Sequence, residues 1–334
     1  MTAGANPMSQ LRLRLSTFGV SRKYLDKKVL PDWWDDAIAE EPTGFSEALL
    51  YVSRHLGIEI ASLRSEKLDL RFQPHGVTKY KKASGVNVQH DCRLSEAIAV
   101  RAAVAVAAGS DTPFSALEDC PHETRQAILQ LAATVNLESL LNHCWAHGVP
   151  VIHIGEFPGK KIDGLCVKVS GRPIIVVSKN SKFSAWLVFI VAHEMGHVFH
   201  NHLTGDGVIF DEKWDRFDGL DGEEQLANAY ASEVLIGVSN PNFGTAHRIT
   251  GARLAESALG FGPAHHIDPG VIALNHGWIM KSFGVANAAL NHIEPNGDPV
   301  ALIHAKMIEH LNLEQLSEES HAWLLRVTGA GLRA

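Results

Sequence analysis

The spacing of apolar residues changes its period near residue 150. Upstream, apolar residues recur every three or four positions, which is typical of amphipathic helices. Downstream come three short β-rich runs, "PVIHI", "GLCVKV" and "PIIVVS", and Ser170-Gly171-Arg172 join the last two as in a hairpin. We therefore predict a helical region followed by a small antiparallel sheet. The predicted helices lie within 44–63, 93–108, 122–134 and 137–147, and the strands at 150–154, 164–169 and 173–178.

Two further helices follow the predicted sheet. Residues 183–202 contain "AWLVFIVA", a run with no polar face, so this helix should be buried on all sides. An acidic, Gly-rich loop at 203–220 leads to a second helix at 222–236. Near the C-terminus, Asp298 and Pro299 supply the N-cap and the first turn of another helix. The fold class is therefore α+β, with a mostly helical N-terminal region, a core that holds the sheet, and a mixed, largely helical C-terminal region.

The polar stretch at 71–91 is an irregular connector and the first candidate boundary between regions. Residues 44–66, upstream of it, resemble a degenerate helix-turn-helix. We predict three regions: a helical region at 1–90, a helical lead-in and core at 91–240 with the core itself at 145–240, and a C-terminal accessory region at 241–334.

The composition is that of a globular protein. The chain has 334 residues, 46% hydrophobic and 20% charged, and a formal net charge of −7, which argues against a protein that coats nucleic acid. Basic residues are concentrated in positions 1–30, where they form either a local basic patch or an ordinary solvated face. The four cysteines form no CxxC pair, and the N-terminus lacks the apolar core of a signal peptide. We expect a cytoplasmic protein with no membrane partner.

The stretch "FIVAHEMGHVFHNH" at 189–202 contains an H-E-x-x-H pattern. On a helix, His193 and His197 lie one above the other on one face and can both reach one ion. Neutral imidazole suits zinc, and Glu194 would take a proton from a water molecule at the metal. The alternative is a histidine-rich core helix. Metal is favoured, because burying Glu194 beside two histidines without a partner costs several kcal/mol, and because Gly196 indicates the close approach of another element.

The third ligand is not fixed by spacing. The metzincin pattern is excluded, because His200 stands where that pattern has glycine and Leu203 where it has histidine. A glutamate from the second helix is the other solution, and Glu223, Glu224 and Glu233 are candidates. Asp221 and Glu224 also resemble a capping pair. By helical angle, Glu223 lies closer than Glu224 to the centre of the apolar face made by Leu226, Ala227, Tyr230 and Val234, so periodicity does not choose Glu224.

Four stretches within residues 145–240 carry a family resemblance. They are "GVPVIHI", "IDGLCVKVSGRPIIVVSKN", "WLVFIVAHEMGHVFHNH" and "EQLANAYASEVLIG", and together they resemble the ImmA/IrrE family of metallo-endopeptidases. The resemblance implies a zincin-like core of the gluzincin type. In that family a glutamate precedes an Ala-Asn pair by three residues on the second helix, so Ala227-Asn228 point to Glu224. Ile236-Gly237 stand where the family has a proline.

The resemblance implies a zinc-dependent endopeptidase of narrow specificity that cleaves a regulatory protein such as a DNA-binding repressor. An edge strand within 164–178 is expected to align the extended substrate. The candidate site residues are Glu194 as the catalytic base, His193, His197 and Glu224 as zinc ligands, and His202, Tyr230 and Asn228 as supporting or oxyanion-stabilising groups.

Two alternatives stay open. One is a DNA-binding transcription regulator with a sensory peptidase-like core, which the basic N-terminus and residues 44–66 would suit. The other is a partner-binding module with a structural metal, for which four protein ligands and no open position would be expected.

Overall fold

The computed structural model describes residues 6–65, 70–73, 77–80, 88–158, 162–211, 222–245 and 247–333. These residues form an α+β fold, as predicted, in which helices surround one mixed sheet. None of the described helices is long and apolar enough to cross a lipid bilayer. The division into 1–90, 91–240 and 241–334 stays a prediction.

Helices dominate both ends of the chain. Seven helices precede the second strand of the sheet, and the first strand lies between the fourth and fifth of them: α1 (Pro7–Ser16), α2 (Arg22–Tyr24), α3 (Pro42–Leu56), α4 (Ile60–Arg64), α5 (Val88–Ala108), α6 (Pro121–Leu129) and α7 (Leu137–Ala146). The central pair is α8 (Ser184–Phe199) and α9 (Gly222–Ile236). After them come α10 (Gly251–Ala264), α11 (Pro269–Ile279), α12 (Phe283–Ile293), α13 (Pro299–His310) and α14 (Glu318–Thr328). The predicted start of α13 is confirmed, because the Asp298 side chain accepts a hydrogen bond from Ala301 N.

The sheet has the strand order β1-β5-β3-β4-β2, from β1 (Val77–Tyr80), β2 (Val151–His153), β3 (Gly164–Val169), β4 (Arg172–Val177) and β5 (Gly207–Asp211). The predicted β3–β4 hairpin is confirmed. Ser170 and Gly171 both have positive φ, of 50° and 79°, which suits a two-residue turn that follows the strand twist. The prediction of a purely antiparallel sheet is wrong, because β2 pairs parallel with β4 and β1 pairs parallel with β5.

Two strands lie where the sequence predicted irregular chain. β5 falls inside the predicted loop at 203–220, and β1 falls inside the predicted connector at 71–91. β5 forms because it pairs with β3 and buries Val208 and Ile209. The sequence did not predict it, because this apolar run is short and follows a glycine-rich stretch. Residues 212–221, the remainder of that loop, lie outside the described residues.

The sheet is covered on both faces. Alternate side chains of β4 enter different cores: Ile174 and Val176 belong to the core that includes the N-terminal helices and α14, whereas Ile175 and Val177 belong to the core that includes α7, α8 and α9. Burial on both faces explains why β4 reads as a continuous apolar run. The core on the first face draws on both ends of the chain, from Met8 to Val327.

The helix-turn-helix resemblance at 44–66 corresponds to α3, a left-handed Gly57 and the five-residue α4. The C-terminal end of α4 is bound to α1, because the Arg14 guanidinium donates to the carbonyls of Ser62, Leu63 and Ser65 at 2.7–3.1 Å. Part of the basic N-terminus is thereby used within the fold.

Candidate metal centre

The central helix α8 is buried over most of its length, as predicted. Relative exposure is 1% for His193, 0% for Glu194 and 1% for His197. Because the two histidines are one helical turn apart, their Nε2 atoms approach to 3.0 Å. Two imidazole nitrogens therefore point at the same small volume.

The helix α9 packs against α8 at a glycine. A Cβ atom added at Gly196 would lie 2.7 Å from Ala227 Cα and 2.9 Å from its carbonyl oxygen. Real Cβ contacts are longer than this, so only glycine allows the two backbones to come so close. The close approach predicted from Gly196 is confirmed, and it brings the N-terminal half of α9 to the histidines.

The glutamate that α9 places beside the histidines is Glu224. Its Oε2 lies 3.3 Å from His193 Nε2, and its Oε1 lies 3.4 Å from His197 Nε2. Glu223 is half-buried, and Leu226 is 48% exposed, so the apolar face estimated from the sequence wrongly included Leu226. Asp221, the other half of the suggested capping pair, lies outside the described residues.

The three side chains fit a small tetrahedral cation. Their ligand atoms are separated by 3.0, 3.3 and 3.4 Å, whereas zinc with ligands at about 2.0–2.2 Å holds them about 3.3–3.6 Å apart. Among the described residues, His193, His197 and Glu224 form one of the groups that could hold a metal ion. Two neutral imidazoles and one carboxylate are a donor set that zinc accepts and that leaves a position for water or substrate.

Two of the predicted supporting residues fix the orientation of the imidazoles. Asn228 Oδ1 lies 3.0 Å from His193 Nδ1, so the ring donates there and turns the lone pair of Nε2 towards Glu224. His202 Nδ1 lies 2.8 Å from His197 Nδ1. A proton shared on that side leaves His197 Nε2 available as a ligand atom. Such outer contacts set both the tautomer and the basicity of metal-binding histidines.

Tyr230 and His200 make contacts of a different kind from those of Asn228 and His202. The Tyr230 side chain is buried, and its hydroxyl lies 3.3 Å from Thr124 Oγ1 on α6, where burial raises the pKa of the phenol. Tyr230 thus contributes to the packing of α9 against α6, and its suggested oxyanion role stays a prediction. His200 stacks on His202, with ring centroids 5.4 Å apart.

Gly164 is a site residue that the sequence reasoning missed. It is the first residue of β3, and a Cβ atom there would lie 2.7 Å from Glu194 Oε1 and 2.5 Å from Ile190 Cγ2. The strand therefore passes directly over the Glu194 carboxylate, which a larger residue would displace. The only signal in the sequence was a glycine at the start of an apolar run.

The proposed alignment of substrate by β3 or β4 is wrong. β3 lies between β5 and β4, and β4 lies between β3 and β2, so neither strand has a free edge. The edge strands of the sheet are β1 and β2. Strand order could not be derived from the sequence, because the two parallel pairings join segments far apart in the chain.

Comparisons provide no relative from which a role could be transferred. The chain matches no protein-family model, no curated protein and no solved structure. The resemblance to ImmA/IrrE peptidases thus stays an expectation, and the geometry of the site carries the functional argument.

A partly apolar cleft of about 810 Å³ lies one helical turn from the candidate metal centre along α8 and α9. Phe189 lies one turn before His193 on α8, and Ser232 lies one turn after Asn228 on α9, and both line the cleft. Trp278 of α11 lines it too, with its ring centroid 4.5 Å from that of Phe189. Its volume is that of a ligand pocket, with room for more than one side chain, and polar residues such as Ser232 and Asn275 line it together with the aromatic rings.

Proposed function

We propose that this protein is a zinc-dependent endopeptidase, and that the sheet with α8 and α9 forms a zincin-like core. The observation that carries the proposal is the convergence of His193, His197 and Glu224 on one point, with Glu194 on the same buried helix. This combination of two imidazoles, a carboxylate ligand and a second carboxylate is what hydrolysis of a peptide bond at a metal requires.

The ligands, the acid–base group and the supporting residues of the site would have separate roles. His193, His197 and Glu224 would hold the ion, which when bound supplies Lewis acidity towards a carbonyl and makes water acidic near neutral pH. Glu194 would accept the proton from the attacking water and return it to the leaving amine. Asn228 and His202 would keep the two imidazoles in the tautomer that binds metal.

The substrate we propose is a protein segment with a bulky apolar side chain near the cleaved bond. The cleft one helical turn from His193 supports this, because Phe189 and Trp278 line it with aromatic surface. The narrower expectation of a regulatory protein, such as a DNA-binding repressor, comes from the family resemblance alone.

The alternative of a DNA-binding regulator receives less support. Arg12 forms ion pairs with Asp26 and Asp36, and the Lys28 ammonium donates to the Arg326 carbonyl at the end of α14. Arg12 and Lys28 are thus engaged within the fold, whereas Arg22, Lys23 and Lys27 are exposed. The alternative of a structural metal is also less suitable, because among the described residues three side chains, and not four, form the group.

The test is cleavage of a peptide library by the zinc-loaded protein, with products identified by mass spectrometry. We expect cleavage by the wild type, with apolar residues enriched beside the cut. Glu194→Gln should abolish cleavage while zinc stays bound, and Glu224→Gln should lose zinc. Glu223→Gln, a change at the half-buried neighbour, is the matched control and should retain both. Absence of cleavage by the zinc-loaded wild type, or equal cleavage by Glu194→Gln, would refute the proposal.

A further inference from the structure

A second cluster of two histidines and a glutamate lies where α6, α7 and α9 meet. His143 and His147 are four residues apart at the end of α7, and their ring centroids are 4.5 Å apart. Glu118, from the segment between α5 and α6, places Oε2 3.2 Å from His143 Nε2 and Oε1 3.4 Å from His147 Nε2. The donor set and its spacing repeat those of the first centre.

The surroundings of His147 hold its ring against Glu118. Its Nδ1 is 3.1 Å from the Ala116 carbonyl oxygen and 3.2 Å from Ser115 Oγ. Nδ1 donates to the carbonyl when it carries the proton and accepts from the hydroxyl when it does not. In the first arrangement Nε2 presents a lone pair beside the Glu118 carboxylate, and a cation between the two would contact both.

His143 is the more deeply buried of the two histidines. Its side chain is 9% exposed, and its Nε2 lies 3.2 Å from Glu118 Oε2. Both imidazoles thus place Nε2 beside the same carboxylate, and one metal ion would be a common partner of the two nitrogens and the carboxylate.

Protonation of both histidines is the competing explanation. It would place two positive rings 4.5 Å apart beside the carboxylate of Glu118. One divalent ion would instead contact all three side chains at once.

The cluster is held by contacts of the kind that support metal ligands. Thr124 Oγ1 donates to Glu118 Oε2 at 3.1 Å, and the Tyr230 hydroxyl lies 3.3 Å from Thr124. The backbone N–H of Ser115 donates to the His147 carbonyl at 3.0 Å, which ties the Glu118 segment to the end of α7. Outer contacts of this type orient first ligands and are a regular part of metal sites.

We propose that Glu118, His143 and His147 form a second binding site for a divalent transition-metal ion, of which zinc is the one to test. The side chains of Glu118 and His147 are 20% and 23% exposed, so water can reach the ion and complete its coordination. The ion would be shared by the segment before α6 and by α7, and Thr124 and Tyr230 connect this cluster to α9. This inference does not rest on the peptidase function, because it concerns different ligands.

The test is the zinc stoichiometry of the metal-free full-length protein, measured by calorimetric titration and by elemental analysis after desalting. We expect two equivalents for the wild type. The pair His143→Asn with His147→Asn should bind one, the pair His193→Asn with Glu224→Gln should bind one, and all four changes together should bind none. His122→Asn, which removes an exposed histidine of α6, is the matched control and should bind two.

Each result separates the two centres. Loss of one equivalent on changing His143 and His147 supports the second site even if the first centre binds nothing. A single equivalent that survives those changes and disappears with the His193 and Glu224 changes would overturn the proposal. Should the histidine variants fail to fold, as judged by circular dichroism, Glu118→Gln removes one ligand with little change of shape, and the wild-type titration alone still decides between one equivalent and two.

Discussion

Replacement of Gly196 by alanine should separate the two helices that hold the candidate metal ligands. The added Cβ atom would lie 2.7 Å from Ala227 Cα, whereas carbon atoms pack at about 3.5–4.0 Å. The helices α8 and α9 would therefore have to move apart by about 1 Å. The added Cβ atom would also lie 2.9 Å from the Ala227 carbonyl oxygen. Neither of these two Ala227 atoms can rotate away, because both belong to the backbone of α9.

The magnitude follows from two opposing effects. Overpacking in a buried contact costs about 1–3 kcal/mol, while alanine is favoured over glycine inside a helix by about 1 kcal/mol. Gly260→Ala on α10 is the matched control, because nothing lies within 4 Å of the added methyl group. The control receives only the favourable effect, so Gly196→Ala should be less stable than Gly260→Ala by about 1–3 kcal/mol.

The same movement should weaken metal binding. It would lengthen the distances of 3.3 and 3.4 Å between Glu224 and the two histidines, and we expect zinc affinity at the first centre to fall at least about tenfold. Urea unfolding gives the stability difference, and competition with a chromogenic chelator gives the affinity. A Gly196→Ala protein that is as stable as Gly260→Ala and binds zinc as tightly as the wild type would refute the close contact of α8 with α9.

Three further predictions concern other parts of the molecule. Asn228→Ala and His202→Ala should each weaken zinc binding about 10–100-fold without changing its stoichiometry, as measured by the same competition; unchanged affinity would count against their supporting role. Arg125→Lys should lower the free energy of unfolding by about 3 kcal/mol, because the buried guanidinium donates to four carbonyls that one ammonium cannot span; urea unfolding measures this, and a loss under 1 kcal/mol would contradict it. Burial lowers the pKa of His55 to about 3 in the folded protein, whereas the pKa is about 6.5 in an unfolded chain. As the pH falls from the higher to the lower of these values, the unfolded state binds a proton at His55 that the folded state does not bind. Stability should then decrease by up to about 1.4 kcal/mol per pH unit from this residue, and His55→Gln should flatten the acid side of the stability curve; an identical slope in both proteins would contradict the assignment.

The helices and the histidine pair could be predicted from local rules. The bounds predicted for α9, 222–236, are those observed, and α8 lies within 183–202, because apolar period and glycine positions act over short distances. The i, i+4 spacing fixed the relation of His193 to His197. Glu224 needed the resemblance, because the apolar face of α9 is set by its neighbours and leaves Leu226 exposed.

The remaining features depend on contacts between distant segments. The pairing of β1 with β5 and the position of Gly164 over Glu194 follow from how the chain returns to the sheet, which no local pattern records. The sequence indicates only part of the second cluster, because His143 and His147 have the spacing of a ligand pair. Its glutamate comes from an irregular segment with no period.

The core that joins the N-terminal helices with α14 has a consequence for biosynthesis. It includes Trp323, Leu324 and Val327 of α14, which are synthesised after all five strands. Until α14 has left the ribosome this core is incomplete, and such nascent chains are prone to aggregate. We expect newly made chains of this protein to depend on chaperones that hold them until α14 is available.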